Sequence, residues 1–200
     1  MIISENGEIV DGRVLGRIQK SIERGQMSSI VGIVVHQTGS SSADSTFHSY
    51  ANASANGAHF LIDKDGTIYQ TASVYRKTAH VGRLKARCLA EHRCSPAEIK
   101  SLKAFNPAAE HAKEKKKTAP DRFPSNEDAI GIELVGEALP RGNLVPDHKK
   151  VYETVTPSQN EALQWLIRNL SQTLGISAQE VFRHPDISRK NHTEASTAQW

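Results

Sequence analysis

Two hundred residues with 38% hydrophobic content supply one core and leave little room for two enzyme domains. A net charge of +3 is too mild to mark a nucleic-acid binder, although it suits polyanionic surroundings such as a bacterial cell wall. Charged residues make up 24% of the chain, so wholesale disorder is not expected, and no stretch approaches the ~20 apolar residues of a membrane span.

Met1 to Val10 holds two acidic residues and no continuous apolar core, unlike a secretory signal. The expectation is a protein that stays in the cytoplasm of its producer or leaves by a route without a cleaved signal. Two short apolar runs flank Asn6-Gly7 and predict a hairpin. Val14, Leu15, Ile18 and Ile22 recur at helical spacing, and Gly25 is placed to stop the helix they predict. The run IVGIVV, residues 30 to 35, reads as a buried strand that ends at His36-Gln37-Thr38-Gly39 and a serine cluster. Ala58 to Ile62 and Ile68 to Thr71 form a strand pair around the turn Asp63-Lys64-Asp65-Gly66.

Residues 83 to 128 change character. They mix basic and acidic residues and read as a charged, partly helical insertion on the surface, with Ser95-Pro96-Ala97-Glu98 as a capping box. Lys115-Lys116-Lys117 reads as a solvated helix face, and a nucleic-acid role would rest on this insertion alone. Cys88 and Cys94, spaced CxxxxxC, are equally compatible with a disulfide and with two free thiols; without a companion pair they are a weak zinc signal. Ala129 to Val135 is the third convincing strand, with Gly131, Glu133 and Val135 on one face and Ile130, Ile132 and Leu134 on the other. Thr156-Pro157-Ser158-Gln159 opens the clearest helix, whose stripe is Leu163, Leu166, Ile167, Leu170 and Leu174 and whose stop is Gly175. Val181-Phe182 is a last short strand leading into Arg183-His184-Pro185-Asp186. Alternating strands and helices predict an α/β fold: one domain over residues 1–200, with a central mixed sheet flanked by helices.

The histidines carry the chemistry. His36 and His184 each follow a buried strand, and His192 and Glu194 lie just beyond the second in a tail without apolar periodicity. Two imidazoles, a further ligand and an open position are what a catalytic zinc site requires.

The segments IVVHQT, AHFLIDKDGTIYQ, KTAHVG, AIGIELVG and HPDIS…TEA come in the order found in the type-2 N-acetylmuramoyl-L-alanine amidases, which include the peptidoglycan recognition proteins, and the chain resembles that family over roughly residues 30–82 and 129–197. The resemblance implies a zinc-dependent hydrolase that cuts bacterial peptidoglycan between N-acetylmuramic acid and L-alanine. It implies His36 and His184 as the first two zinc ligands and Glu133 as the general base. The third ligand departs from the family, in which aspartate or cysteine precedes Pro-Gly. Spacing from His184 offers Glu194 by the longer count and His192 by the shorter, with Lys190 two residues earlier. Glu194 is preferred, because it keeps a His-His-carboxylate set; His192 and Lys190 are then candidates for polarising the carbonyl. His59 and His80 match groove-lining, substrate-binding positions of the family, with a structural role the competing reading. Tyr50 and Tyr69 read as packing residues. A non-catalytic wall-binding module is the first rival, and a peptidase acting within the stem peptide the second. Of the family's settings, a cell-wall-lytic toxin, such as a type VI secretion effector, or a lysin suits this chain better than cytoplasmic muropeptide recycling. A toxin implies a cognate immunity protein as partner.

Overall fold

The computed structural model describes residues 1–142 and 144–200. The N-terminal hairpin forms as its turn predicts, with β1 (Ile2–Ile3) antiparallel to β2 (Ile9–Val10). The helix expected over Val14 to Ile22 does not form. That stretch gives β3 (Val14–Gly16), followed by β4 (Glu23–Gln26). Helical spacing here is a coincidence of burial: Val14 enters the main core, Leu15 is exposed, and Ile22 packs separately against Tyr50 and Ala72. A helix would have carried Gly16 in its interior at a cost of about 1 kcal/mol. The sheet edge instead gives the Arg17 and Gln19 amides acceptors in Gln70 and Thr71.

The apolar run forms β5 (Gly32–Gly39), which continues past its predicted end, so His36 lies within the strand and not beyond it. The serine cluster conceals α1 (Ala43–Tyr50), capped where Ser42 Oγ accepts the Ser45 amide. β6 (Phe60–Ile62) and β7 (Ile68–Gln70) form the expected antiparallel pair; Gly66 turns the chain at φ 90°, a conformation that side chains disfavour. β8 (Arg76–Thr78) pairs with β4.

Three short helices follow in the 83–128 segment: α2 (Arg87–Ala90), α3 (Pro96–Leu102) with its capping box, and α4 (Pro107–Glu114). Cys88, within α2, and Cys94 form a disulfide. Lys115 and Lys116 are solvated, whereas Lys117 pairs with Glu114 and Glu98. The chain then forms β9 (Ala129–Leu139), β10 (Val151–Tyr152), α5 (Pro157–Leu174), β11 (Val181–Arg183) and α6 (His184–Ile187).

The main sheet runs β11-β5-β9-β6-β7-β3, with β10 against the far end of β9. β11, β5, β9 and β6 are mutually parallel neighbours, and the pairs β6–β7 and β9–β10 are antiparallel, so the sheet is mixed. One face carries Ile33, Val35, Phe60, Ile62, Ile130, Ile132 and Leu134 against Leu163, Leu166, Ile167 and Leu170 of α5. Burying each of these side chains is worth about 1.5–3 kcal/mol, which makes this face the main source of stability. The Thr156/Gln159 capping box starts α5, and Gln159 also donates to the carbonyls of Ile62 and Val135, locking the helix start to β6 and β9. The opposite face is smaller and partly polar. Alternation places Val34 and His36 of β5 and Gly131 and Glu133 of β9 there, because the face of β5 that meets α5 carries Ile33 and Val35.

Candidate active site

β5 and β9 are parallel, and His36 is the register partner of Glu133. One strand pair thus sets an imidazole and a carboxyl side by side on the polar face. On the other flank of β5, β11 runs parallel and delivers His184 as the first residue of α6. His36 and His184 meet with ring centroids 4.3 Å apart.

The third member comes from the C-terminal tail. Asn191 anchors a turn there: its side chain donates to the carbonyls of Asp147 and Lys150 and accepts from the Thr193 amide. With Asn191 facing inward, His192 projects into solvent and Glu194 returns to the interior. Glu194 Oε1 lies 3.0 Å from His184 Nδ1 and 3.5 Å from His36 Nδ1. The expectation of a catalytic His192 is therefore corrected, since it is exposed and lies outside the cleft. Lys190 does line the cleft.

His36, His184 and Glu194 place ligand atoms within 4.8 Å of one another, and all three side chains are buried. Two imidazoles and one carboxylate, open on one side to a cleft, form the donor set that zinc takes in catalytic sites, so the residues present fit the ion. Burial and the neighbouring His184 push the pKa of His36 from 6.5 down to about 4, which leaves its ring neutral and able to ligate at neutral pH. Burial works against the Glu194 carboxylate, but the neighbouring His184 and His36 outweigh it and hold the pKa at about 2. A second group, Cys88, Cys94 and Glu98, also lies close together, but the disulfide disqualifies it as a metal site.

The cleft has a volume of about 340 Å³ and is lined by Thr38, His80, Glu133, Tyr152 and Lys190 besides the cluster itself. Burial pushes the pKa of Glu133 from 4.5 to about 7, opposed by a hydrogen bond from Tyr50 and reinforced by the charge of Glu194. Tyr50 is a site residue and not merely packing: its hydroxyl donates to Glu133 Oε2 at 2.6 Å. Tyr69 does pack, edge to face on Phe47. Burial and Glu194 also push the Tyr152 hydroxyl up, so it remains a proton donor in the lining of the cleft. Tyr152 lies in a two-residue strand that gives no periodic signal, so nothing in the sequence singled it out.

The two remaining candidate histidines separate. His80 lies on the cleft wall with His36 Nε2 2.9 Å from its Nδ1. His59 is fully buried behind it, and this corrects its placement in the substrate groove. Its Nε2 donates to the Arg76 carbonyl at 2.8 Å and its Nδ1 accepts the Gly131 amide at 3.0 Å, so the ring ties the chain at β8 to β9.

Fold and site together define an α/β protein with a preformed His-His-carboxylate cluster facing an open cleft. The chain belongs to the N-acetylmuramoyl-L-alanine amidase family, whose family model matches residues 26–196. A comparison with curated protein sequences finds no significant match. Among solved structures the chain is similar to a selenomethionine derivative of AmpD, with 16% identity, a TM-score of 0.55, and coverage of 94% of this chain and 88% of that one. It is also similar to the catalytic domain of XlyA, with 19% identity, a TM-score of 0.51, and coverage of 88% and 87%. For PlyL the identity is 12% and the TM-score 0.51, with coverage of 88% and 84%. At these identities the likeness speaks for the fold. Among the described residues, no helix is long and apolar enough to cross a membrane.

Proposed function

We propose that this chain is a zinc-dependent amidase that hydrolyses the bond between the lactyl carbonyl of N-acetylmuramic acid and the L-alanine nitrogen of peptidoglycan. The observation that carries this reading is the convergence of His36, His184 and Glu194 in one cleft with Glu133 on the neighbouring strand. His36, His184 and Glu194 would hold the ion. Zinc bound there supplies Lewis acidity, polarising the carbonyl and making water a better acid.

The chain's own groups do the rest. Glu133, as the carboxylate, takes a proton from water as the oxygen adds to the lactyl carbon. A carboxyl poised near about 7 is suited both to accept that proton and to release it. Lys190 is the cleft's cationic group for charge developing on the carbonyl oxygen. When the C–N bond breaks, protonated Glu133 passes its proton to the departing L-alanine nitrogen and returns to the carboxylate. Tyr50 holds Glu133 in one orientation throughout.

Substituting Glu133→Gln should lower kcat by about 10²–10⁴ while leaving zinc content unchanged. Equal loss of metal and activity in that variant would contradict a proton-transfer role. Stoichiometric zinc in the wild type separates the enzyme from a non-catalytic wall-binding module.

The biological setting we favour is wall lysis outside the producing cytoplasm, as a toxin or a lysin, with an immunity protein as partner in the toxin case. The Cys88–Cys94 disulfide supports it, because such bonds persist in oxidising compartments. Good activity on small soluble anhydromuropeptides with none on intact sacculi would favour recycling instead.

A further inference from the structure

We infer that His80 is a positioning residue that selects the tautomer of His36 and so presents it as a metal ligand, and that Gly131 is glycine to admit the His80 ring. This inference rests on the zinc reading above.

A neutral imidazole carries one proton, and only the bare nitrogen can bind a metal. Which nitrogen is bare depends on the partner of the other. His36 Nε2 lies 2.9 Å from His80 Nδ1, and His80 Nε2 lies 3.2 Å from the Ala129 carbonyl oxygen. The carbonyl can only accept, and it stands closer to its ring nitrogen than Glu194 Oε1 does to His36 Nδ1 (3.2 against 3.5 Å), which sets the order of the chain. His80 Nε2 carries the proton and donates to Ala129, leaving His80 Nδ1 as a lone pair. His36 Nε2 must then carry its proton and donate to His80. Its Nδ1 is left bare, facing Glu194 Oε1 at 3.5 Å. Lone pair and carboxylate are both acceptors, and a cation between them satisfies both.

The surroundings hold His80 in place for this. Asn126 accepts the His80 and Val81 amides at 2.9 and 2.7 Å and donates to the Val81 carbonyl at 2.9 Å, pinning the loop on which the ring stands. The ring lies over Gly131, where a β-carbon would come within 2.8 Å of His80 Cγ and Nδ1 and 3.0 Å of Ala58 Cβ. The rings of His36 and His80 meet edge to face, with centroids 5.1 Å apart. Partners of this kind, which orient a ligating histidine through its second nitrogen, typically change metal affinity 10–100-fold when removed (about one to two decades).

The test compares metal-stripped wild type, His80→Leu and His80→Asn by zinc titration against a chromophoric chelator. Wild type should bind one equivalent. His80→Leu should bind about 10–100-fold more weakly. His80→Asn places an amide oxygen near the former Nδ1 and should recover much of that loss. The imidazole nitrogen shifts of metal-free wild type give a second readout that needs no variant to fold, and His36 should appear with its proton on Nε2. A His36 proton on Nδ1, or zinc binding by folded His80→Leu as tight as wild type, would overturn the inference while leaving the zinc reading intact. Absence of zinc binding by the wild type would remove the zinc reading itself, and this inference with it.

Discussion

Tyr50 and His59 show how much of the site depends on side chains that carry no chemistry of their own. Tyr50 is buried at the end of α1, and burial together with the Glu133 charge pushes its hydroxyl well above the ordinary value, so it stays a donor. Tyr50→Phe should reduce kcat about tenfold with little change in KM, equivalent to about 1.4 kcal/mol of lost orientation in the transition state. Steady-state kinetics on solubilised peptidoglycan would show it, and an unchanged kcat would remove Tyr50 from the site. His59 makes a prediction in pH. Burial pushes its pKa from 6.5 to about 4, so between those values the unfolded chain binds a proton that the folded chain refuses. Stability should therefore fall as pH drops from 6.5 toward 4, and this one group contributes on the order of 3 kcal/mol across that window. Urea unfolding of metal-free protein at pH 7 and pH 4.5 should show the loss, and His59→Gln should show a shallower one. Equal slopes in both proteins would refute the assignment. At this scale the sequence reveals residue type but not partner. His36, His184 and Glu133 could be read because each lies in, or directly follows, a strand whose apolar run is plain in the sequence. His192 could not be told from Glu194, because a turn anchored by Asn191 decides which of them faces inward.

Elements were legible in proportion to the local signals that define them. α5 has a cap, an apolar stripe and a terminal Gly175 in the left-handed region, and it forms where expected. β3 and β4 have none of these; they are strands because the edges of β7 and β8 offer partners, which no local pattern encodes. The 83–128 segment was legible as helical but not as a brace. It grips the strand and loop that deliver His184 from both sides. Arg87 forks onto Glu180 just before β11, at 2.8 and 2.9 Å. Glu110 accepts the Ala86 amide and pairs with Arg189, and Leu84 bridges to Ser188 beyond α6. Glu110→Ala leaves a buried amide and a guanidinium without their acceptor, so it should cost about 1–3 kcal/mol, read as a lowered Tm. The opening should be local, with hydrogen exchange rising over α2 and residues 184–190 before β5 and β9 respond. Uniform exchange through the central strands would mean that the segment is an integral part of the core and not a brace upon it.

The molecule as a whole divides its labour between the two faces of one sheet. The face under α5 is predominantly apolar and supplies stability. The other tolerates buried imidazoles and carboxyls because they bond one another, and that mutual satisfaction is what makes a polar cleft affordable in a chain of this size. The α/β architecture follows from alternating apolar runs, and the family match from residue 26 to residue 196 embraces all of the cleft residues and the brace. The reaction assigned to this arrangement is tested most directly by mass spectrometry of purified peptidoglycan digested with the zinc-loaded protein. The account predicts glycan strands released with intact lactyl groups and stem peptides that gain a free L-alanine amino terminus. Products cut within the stem peptide, or muropeptides left whole by zinc-loaded protein, would contradict it.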